Sequence, residues 1–196
     1  MAAVSTPGVC RPEPRAVRAD ALRNHAHLVD AAVAAFHREG LRVPMATIAA
    51  DAGVGIGTLY RHFSTRDELL EFLTHRSFER LLDNVQDAER RGLSAAGSLR
   101  HFVAAAIDQR NELVLPLHGG PPVTAAKTLA LQQRVHRAIT AIIARGEQDG
   151  TVTAPVTARD IIVFGSMLAQ PHPADPPWET LTRRLLVTYL AGLAKK

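Results

Sequence analysis

Apolar residues recur three and four positions apart along nearly the whole 196-residue chain, and the two-residue alternation of a half-buried strand is almost absent. Glycine and proline alone break the pattern, so the chain is confined to helices joined by short turns. Leu22, Ala26, Val29, Val33 and Phe36 form the first stripe, which stops at Glu39-Gly40, where glycine can take a left-handed cap. The first helix is therefore expected from about Arg18. Pro44 opens a short second helix to about Asp51, with Ile48, Ala49 and Ala52 facing inward, and Gly53 ends it. A third helix is expected from Ile56 to Phe63. Ser64 or Thr65 then caps a long fourth helix whose Asp67 and Glu68 sit at its positive end, and which runs to about Arg91. The same period predicts helices over Ala95–Leu115, Thr124–Gln148, Ala158–Ala169 and Pro177–Ala194. Thr157 with Asp160 resembles a capping box and marks the start of the third of these. The fold class is all-α.

Composition narrows the setting. Hydrophobic residues make up 46%, charged residues 21% and aromatic residues only 5%, which is globular. A single cysteine, Cys10, excludes an intramolecular disulfide or a multi-cysteine zinc site and suits a reducing compartment. No apolar run approaches the roughly 20 residues of a membrane helix, and the N-terminus has no apolar signal core, so a cytoplasmic protein is expected. Residues 1–17, with Pro7, Gly8, Pro12 and Pro14 and no apolar period, are expected to form a disordered arm. The net charge of +4 is small, yet it is concentrated. Through Arg66 there are eight Lys and Arg against five Asp and Glu, whereas the remainder carries 15 against 14.

The basic third contains the most specific pattern in the chain, from Ile48 to Phe63. Two helices crossing steeply need a small residue at the contact, supplied by Ala49, and a tight turn four residues later, supplied by Gly53 through positive φ. Val54 and Leu59 fill the angle between them. The second helix then presents Ile56, Gly57, Thr58 and Arg61 outward, as a recognition helix does in a major groove. Tyr60, His62 and Arg66 are donors placed to reach phosphate oxygens.

These residues resemble the TetR family of bacterial transcriptional regulators. The resemblance is carried by Leu28-Val29-Asp30-Ala31-Ala32 with Phe36 and Gly40, by Ile48-Ala49 with Ala52-Gly53-Val54, and by Gly57 to Phe63 followed by Arg66-Asp67-Glu68-Leu69-Leu70. It covers roughly Arg18 to Phe72, and in its motif variants the chain looks most like actinobacterial members. Pro44 and Gly55 depart from the threonine and serine common there, which removes two side-chain contacts to phosphate. The resemblance implies a helix-turn-helix DNA-binding domain at 18–64 and a ligand-binding and dimerisation domain at 65–196 built from about five more helices. It further implies a homodimeric repressor released from a palindromic operator when a small-molecule effector moves the fourth helix. The residues expected at DNA are Met45, Gly55, Ile56, Gly57, Thr58, Tyr60, Arg61, His62 and Arg66. The last two helices would pair with their copies in a second chain through Ile161, Phe164, Leu168, Leu181, Leu185 and Tyr189, with Gly165 and Ser166 allowing close approach.

A ligand cavity between the regulatory helices is expected among Phe102, Ile107, Leu113, Leu115, His118, Phe164, Met167 and Trp178. The nine histidines show no metal-ligand spacing: His25 and His27 diverge on a helix, and no His-Glu-x-x-His occurs. His118-Gly119-Gly120 is similar to the oxyanion loop of lipases, but the Gly-x-Ser-x-Gly nucleophile motif is missing. No catalytic residue, metal or cofactor is therefore expected. The alternatives are a small all-helical enzyme or carrier whose hairpin is coincidental, and a regulator whose C-terminal part docks a protein.

Overall fold

The computed structural model describes residues 14–170 and 176–194, with side chains from 24 to 170 and from 178 to 194; residues 1–13 of the expected arm and Cys10 lie outside them. Among the described residues there are helices α1 (Pro14–Glu39), α2 (Met45–Asp51), α3 (Ile56–His62), α4 (Arg66–Arg90), α5 (Ala95–Asp108), α6 (Ala126–Asp149), α7 (Ala158–Leu168) and α8 (Pro176–Leu193), two short 3-10 turns and no strand. Helix α1 starts at Pro14, four residues before the expected Arg18, since proline is accepted in a first helical turn. It ends where Gly40 takes φ +80°. Thr65 caps α4 by accepting from the Glu68 N–H, and the Glu68 carboxylate reaches back to the Ser64 N–H at 2.7 Å. The Thr157–Asp160 box is closed in both directions.

Burial divides the chain into two cores. Leu28, Ile48, Leu59, Leu69 and Leu73, all at most 1% exposed, belong to the first, formed by α1, α2, α3 and the start of α4. Each contributes about 1.5–3 kcal/mol relative to an exposed side chain. The second is built from α4 beyond Phe78 and from α5 to α8, and includes Leu99, Ile107, Ile139, Ile142 and Ile161. Helix α4 is thus shared by both.

The expected helix over Ala95–Leu115 ends at Asp108 instead. Asn84 and Gln109 exchange side-chain amide hydrogen bonds at 3.0 and 3.3 Å, pinning the end of α5 to α4. Pro116 disfavours a helical conformation at Leu115, which has φ −126° and ψ 149°. Leu113, Val114 and Leu115 therefore run extended, and in extended chain successive side chains face opposite ways. Leu113 and Leu115 enter the second core and Val114 enters the first. Three consecutive buried residues read as helix in the sequence because both their faces are covered. The Val114 N–H is met by Ser77 Oγ at 2.9 Å, and the same hydroxyl donates to the Leu73 carbonyl at 2.8 Å. This single α4 side chain ties the crossing segment to α4 between the two cores.

Candidate nucleic-acid interface and cavity

The helix-turn-helix is set by backbone geometry. Gly53 has φ +66°, and its N–H donates to the Ala50 carbonyl at 3.0 Å while the Val54 N–H donates to Ala49 at 2.9 Å. Ala49, 2% exposed, lies at the helix crossing, and Leu59 is fully buried beneath α3. With that side of α3 anchored, the other side is open. Ile56 is 43% and Tyr60 48% exposed, Gly55, Gly57 and Arg61 are exposed, and Thr58 is half-buried. Gly55 occupies the N-cap without a side-chain acceptor, so it leaves the first N–H groups of α3 bare toward solvent. Arg61 lies along its own helix, its Nε donating to the Gly57 carbonyl at 3.1 Å and its Nη2 to Thr58 Oγ1 at 3.0 Å. These exposed bonds are cheap to exchange for contacts to a base edge.

The other expected contacts are placed differently. Met45 is 7% exposed and packs in the first core, because the first turn of α2 faces inward at that position; its side chain is not on the open face. Arg66 donates from Nη1 to the Leu41 carbonyl at 2.7 Å and is half-buried, so it fastens the loop before α2 to the start of α4. His62 is half-buried with its ring 5.3 Å from that of His25, which packs edge-on to Phe72 at 5.4 Å and tilted against Phe63 at 5.7 Å. Burial, then His62 and Arg76, hold the His25 pKa below the ordinary histidine value. Arg42, in the loop before α2, is a further exposed cation of the basic third, two residues before Pro44.

In the second core a cavity of about 490 Å³ opens between α4, α5, α6, α7 and the segment from Leu113 to His118. Its walls are Phe78 and Leu81 from α4, Phe102 and Ala106 from α5, Leu113, Leu115 and His118, Val135 from α6, and Ile162 and Gly165 from α7. Phe102, Leu113, Leu115 and His118 are thus brought together. Ile107 is 1% exposed in the surrounding core. Phe164 turns away to stack on Tyr189, with ring centroids 3.8 Å apart and planes at 16°. Met167 points to solvent at 64% exposure, and Trp178 on α8 is off the wall. His118 Nε2 lies 3.1 Å from the Ser166 carbonyl, so that nitrogen carries the hydrogen, and burial keeps the ring's pKa low. The polar residues Gln132, Gln133, His136 and Arg159, also on the lining, had no apolar period to reveal them.

A smaller space of about 300 Å³ lies at the joint of the two cores, between the end of α1, including Phe36 and His37, and the segment from Leu113 to Gly120. His118 borders both spaces. Burial also lowers the His37 pKa, opposed by a bond to the Leu113 backbone. Among the described residues no three His, Cys, Asp or Glu side chains converge as a metal site would require, and no helix is long and apolar enough to cross a membrane.

Of the residues expected between two copies, Ile161 is fully buried and Leu168 is 6% exposed, both inside the second core. They are consumed within one chain because α7 packs directly on α5 and α6. Leu181 is half-buried and Leu185 is 42% exposed. The apolar side chains left outward on α7 and α8 are Val163, Met167, Leu185 and Val187.

Residues 28–73 match the family described as bacterial regulatory proteins, tetR family. An HTH-type transcriptional regulator of Staphylococcus aureus (strain bovine RF122 / ET3-1) is 36% identical over 61 residues, which span 31% of this chain and 33% of that protein. The chain thus spans about a third of the length of such curated relatives. Two solved structures are similar over much more. A TetR transcription regulatory protein from Mycobacterium vanbaalenii is 26% identical with a TM-score of 0.62, covering 91% of this chain and 99% of that one. A tetR-family regulatory protein from Rhodococcus RHA1 is 19% identical with a TM-score of 0.70, covering 89% and 98%.

Proposed function

We propose that the chain is a member of the TetR family of bacterial regulators, whose model it matches over residues 28–73, and that it is a homodimeric transcriptional regulator, acting in the cytoplasm as a repressor that a small-molecule effector releases from a palindromic operator. The observation that carries the reading is the open side of α3: Ile56, Gly57, Tyr60 and Arg61 stand exposed on a short helix whose opposite side is locked by Leu59 and the Gly53 turn. A rigid small helix with bare N-terminal amides, an arginine and an aromatic hydroxyl suits base and phosphate contacts in a major groove. Residues 18–64 read DNA in this account, and residues 65–196 bind the effector and the second copy. Arg61 and Thr58 contact base edges. Tyr60 and Arg42 contact phosphates, while Arg66 positions the loop before α2.

Effector control follows from the shared helix. Phe78 and Leu81 of α4 line the cavity, and Ser77, directly before Phe78, with Leu73 one turn further back on the same helix, holds the joint with the first core. A ligand that displaces the Phe78 and Leu81 side chains tilts α4 and carries α3 with it. Two α3 helices must enter grooves about 34–36 Å apart, so a small tilt at each is enough to remove one. The ligand acts only as far as it binds the DNA-free arrangement more tightly than the DNA-bound one.

Selection of bound duplexes from a random pool tests the reading. A palindromic consensus is expected, with log affinity falling as log salt rises. Arg61→Ala should then weaken the selected duplex by about 1–3 kcal/mol while changing random duplex little. Failure to enrich any sequence would overturn the assignment.

A further inference from the structure

We propose that the cavity takes an amphipathic monoanion, an apolar body bearing one carboxylate, and that Arg159 at its rim holds the charge. The proposal rests on the reading of this cavity as the effector site. Its interior is apolar: Phe78, Leu81, Phe102, Leu113 and Val135 are all buried side chains. A volume of about 490 Å³ falls within the roughly 300–1,000 Å³ of sites that enclose small ligands.

Besides His118 and Ser166, which are bonded to each other, four polar residues of α6 and α7 line the cavity. Gln132, Gln133 and His136 sit on adjacent turns of α6, and Arg159 lies in the first turn of α7; all four are exposed. Among the described residues, Arg159 is the one Lys or Arg on the lining, and no Asp or Glu lines the cavity. Its sequence neighbour Asp160 is within Coulombic reach but forms no direct ion pair with it, that carboxylate being turned to the Thr157 N–H at 2.8 Å and the Thr157 hydroxyl at 2.7 Å. Arg159 itself has no ion-pair partner among the described residues. An apolar chamber rimmed by one guanidinium outside any ion pair and three further hydrogen-bonding side chains favours a carboxylate over an alcohol of the same length, and repels an amine. With one cation at hand, it suits a single charge and not a polyanion.

The test is calorimetric titration of the full chain with decanoate, decanol and decylamine, each below its micellar concentration. Decanoate should bind about tenfold more tightly than decanol, and decylamine more weakly than either. Arg159→Gln should bring decanoate down to the level of decanol and leave decanol unchanged, and raised salt should shrink the decanoate advantage in the parent chain only. Equal binding of decanoate and decanol, with both displacing the selected duplex, overturns the monoanion and leaves the effector site standing. A decanoate preference that survives Arg159→Gln overturns the role of Arg159. Absence of binding by all three overturns the proposal together with the effector reading on which it rests.

Discussion

Ser77→Ala removes one oxygen from the joint between the two cores, and its cost can be worked from the geometry. The hydroxyl is 1% exposed, accepts from the Val114 N–H at 2.9 Å and donates to the Leu73 carbonyl at 2.8 Å. Leu73 loses little, because its carbonyl is also placed for the α4 ladder. The Val114 amide is left buried without an acceptor, which costs about 1–3 kcal/mol. Alanine returns about 0.5 kcal/mol through its better helix propensity. The net loss is about 0.5–2.5 kcal/mol, and at roughly 2–4 °C per kcal/mol for a chain of this size the melting temperature should fall by about 1–10 °C. Thr140→Ala is the matched control, since the Thr140 hydroxyl also donates to a carbonyl four residues earlier, His136 at 3.0 Å, but on an exposed face; its effect should stay within about 0.5 kcal/mol. Urea unfolding at fixed protein concentration should show a lower midpoint with an unchanged slope. Amide exchange should report a loss of protection at Val114 ahead of the other residues of the two cores. If Ser77→Ala unfolds like Thr140→Ala and Val114 stays protected, that amide has another partner and the joint is not held by Ser77.

Three further outcomes are expected. Gly146→Ala should destabilise by up to about 2 kcal/mol, because a methyl there would lie 2.5 Å from Val152 Cγ2 and 2.9 Å from Ala95 Cβ, and overpacking of about 1–3 kcal/mol is offset by a helix gain of about 1 kcal/mol; a raised melting temperature would refute this. Stability should fall as pH drops below about 6.5, because His25, His37 and His118 have lowered pKa values when folded. The native state then binds fewer protons than the unfolded chain between the two pKa values, so the stability held above that window is lost on acidification. His118→Gln, which keeps a donor for the Ser166 carbonyl, should flatten the midpoint between pH 7.5 and 5.5, and an unchanged slope would exclude that ring. Met167→Glu with Leu185→Glu, both at exposed positions, should convert a dimer into monomers by sedimentation with a normal helical spectrum; a persisting dimer would place the interface elsewhere.

Several parts of this molecule were legible in the chain itself. Glycine at position 53 and alanine at position 49 are needed by the crossing of α2 and α3 whatever surrounds them, and the caps at Thr65 and Thr157 act within one helical turn. Such features depend on local sterics and hydrogen bonding, so the sequence determined the all-helical class, the hairpin and which side of α3 stays open. The tertiary structure decided what depends on the far partner of each side chain. Arg66 reads as a phosphate contact until the Leu41 carbonyl is found 2.7 Å away, and Met45 reads as a contact until it is seen inside the first core. Ile161 and Leu168 carry the same apolar signal as Val163 and Met167, and only the packing of α7 on α5 and α6 separates core from outer surface. Leu113 to Leu115 make the point most sharply. A run of apolar residues specifies burial but not on how many sides, and this segment became extended because two cores, each assembled from distant helices, meet across it.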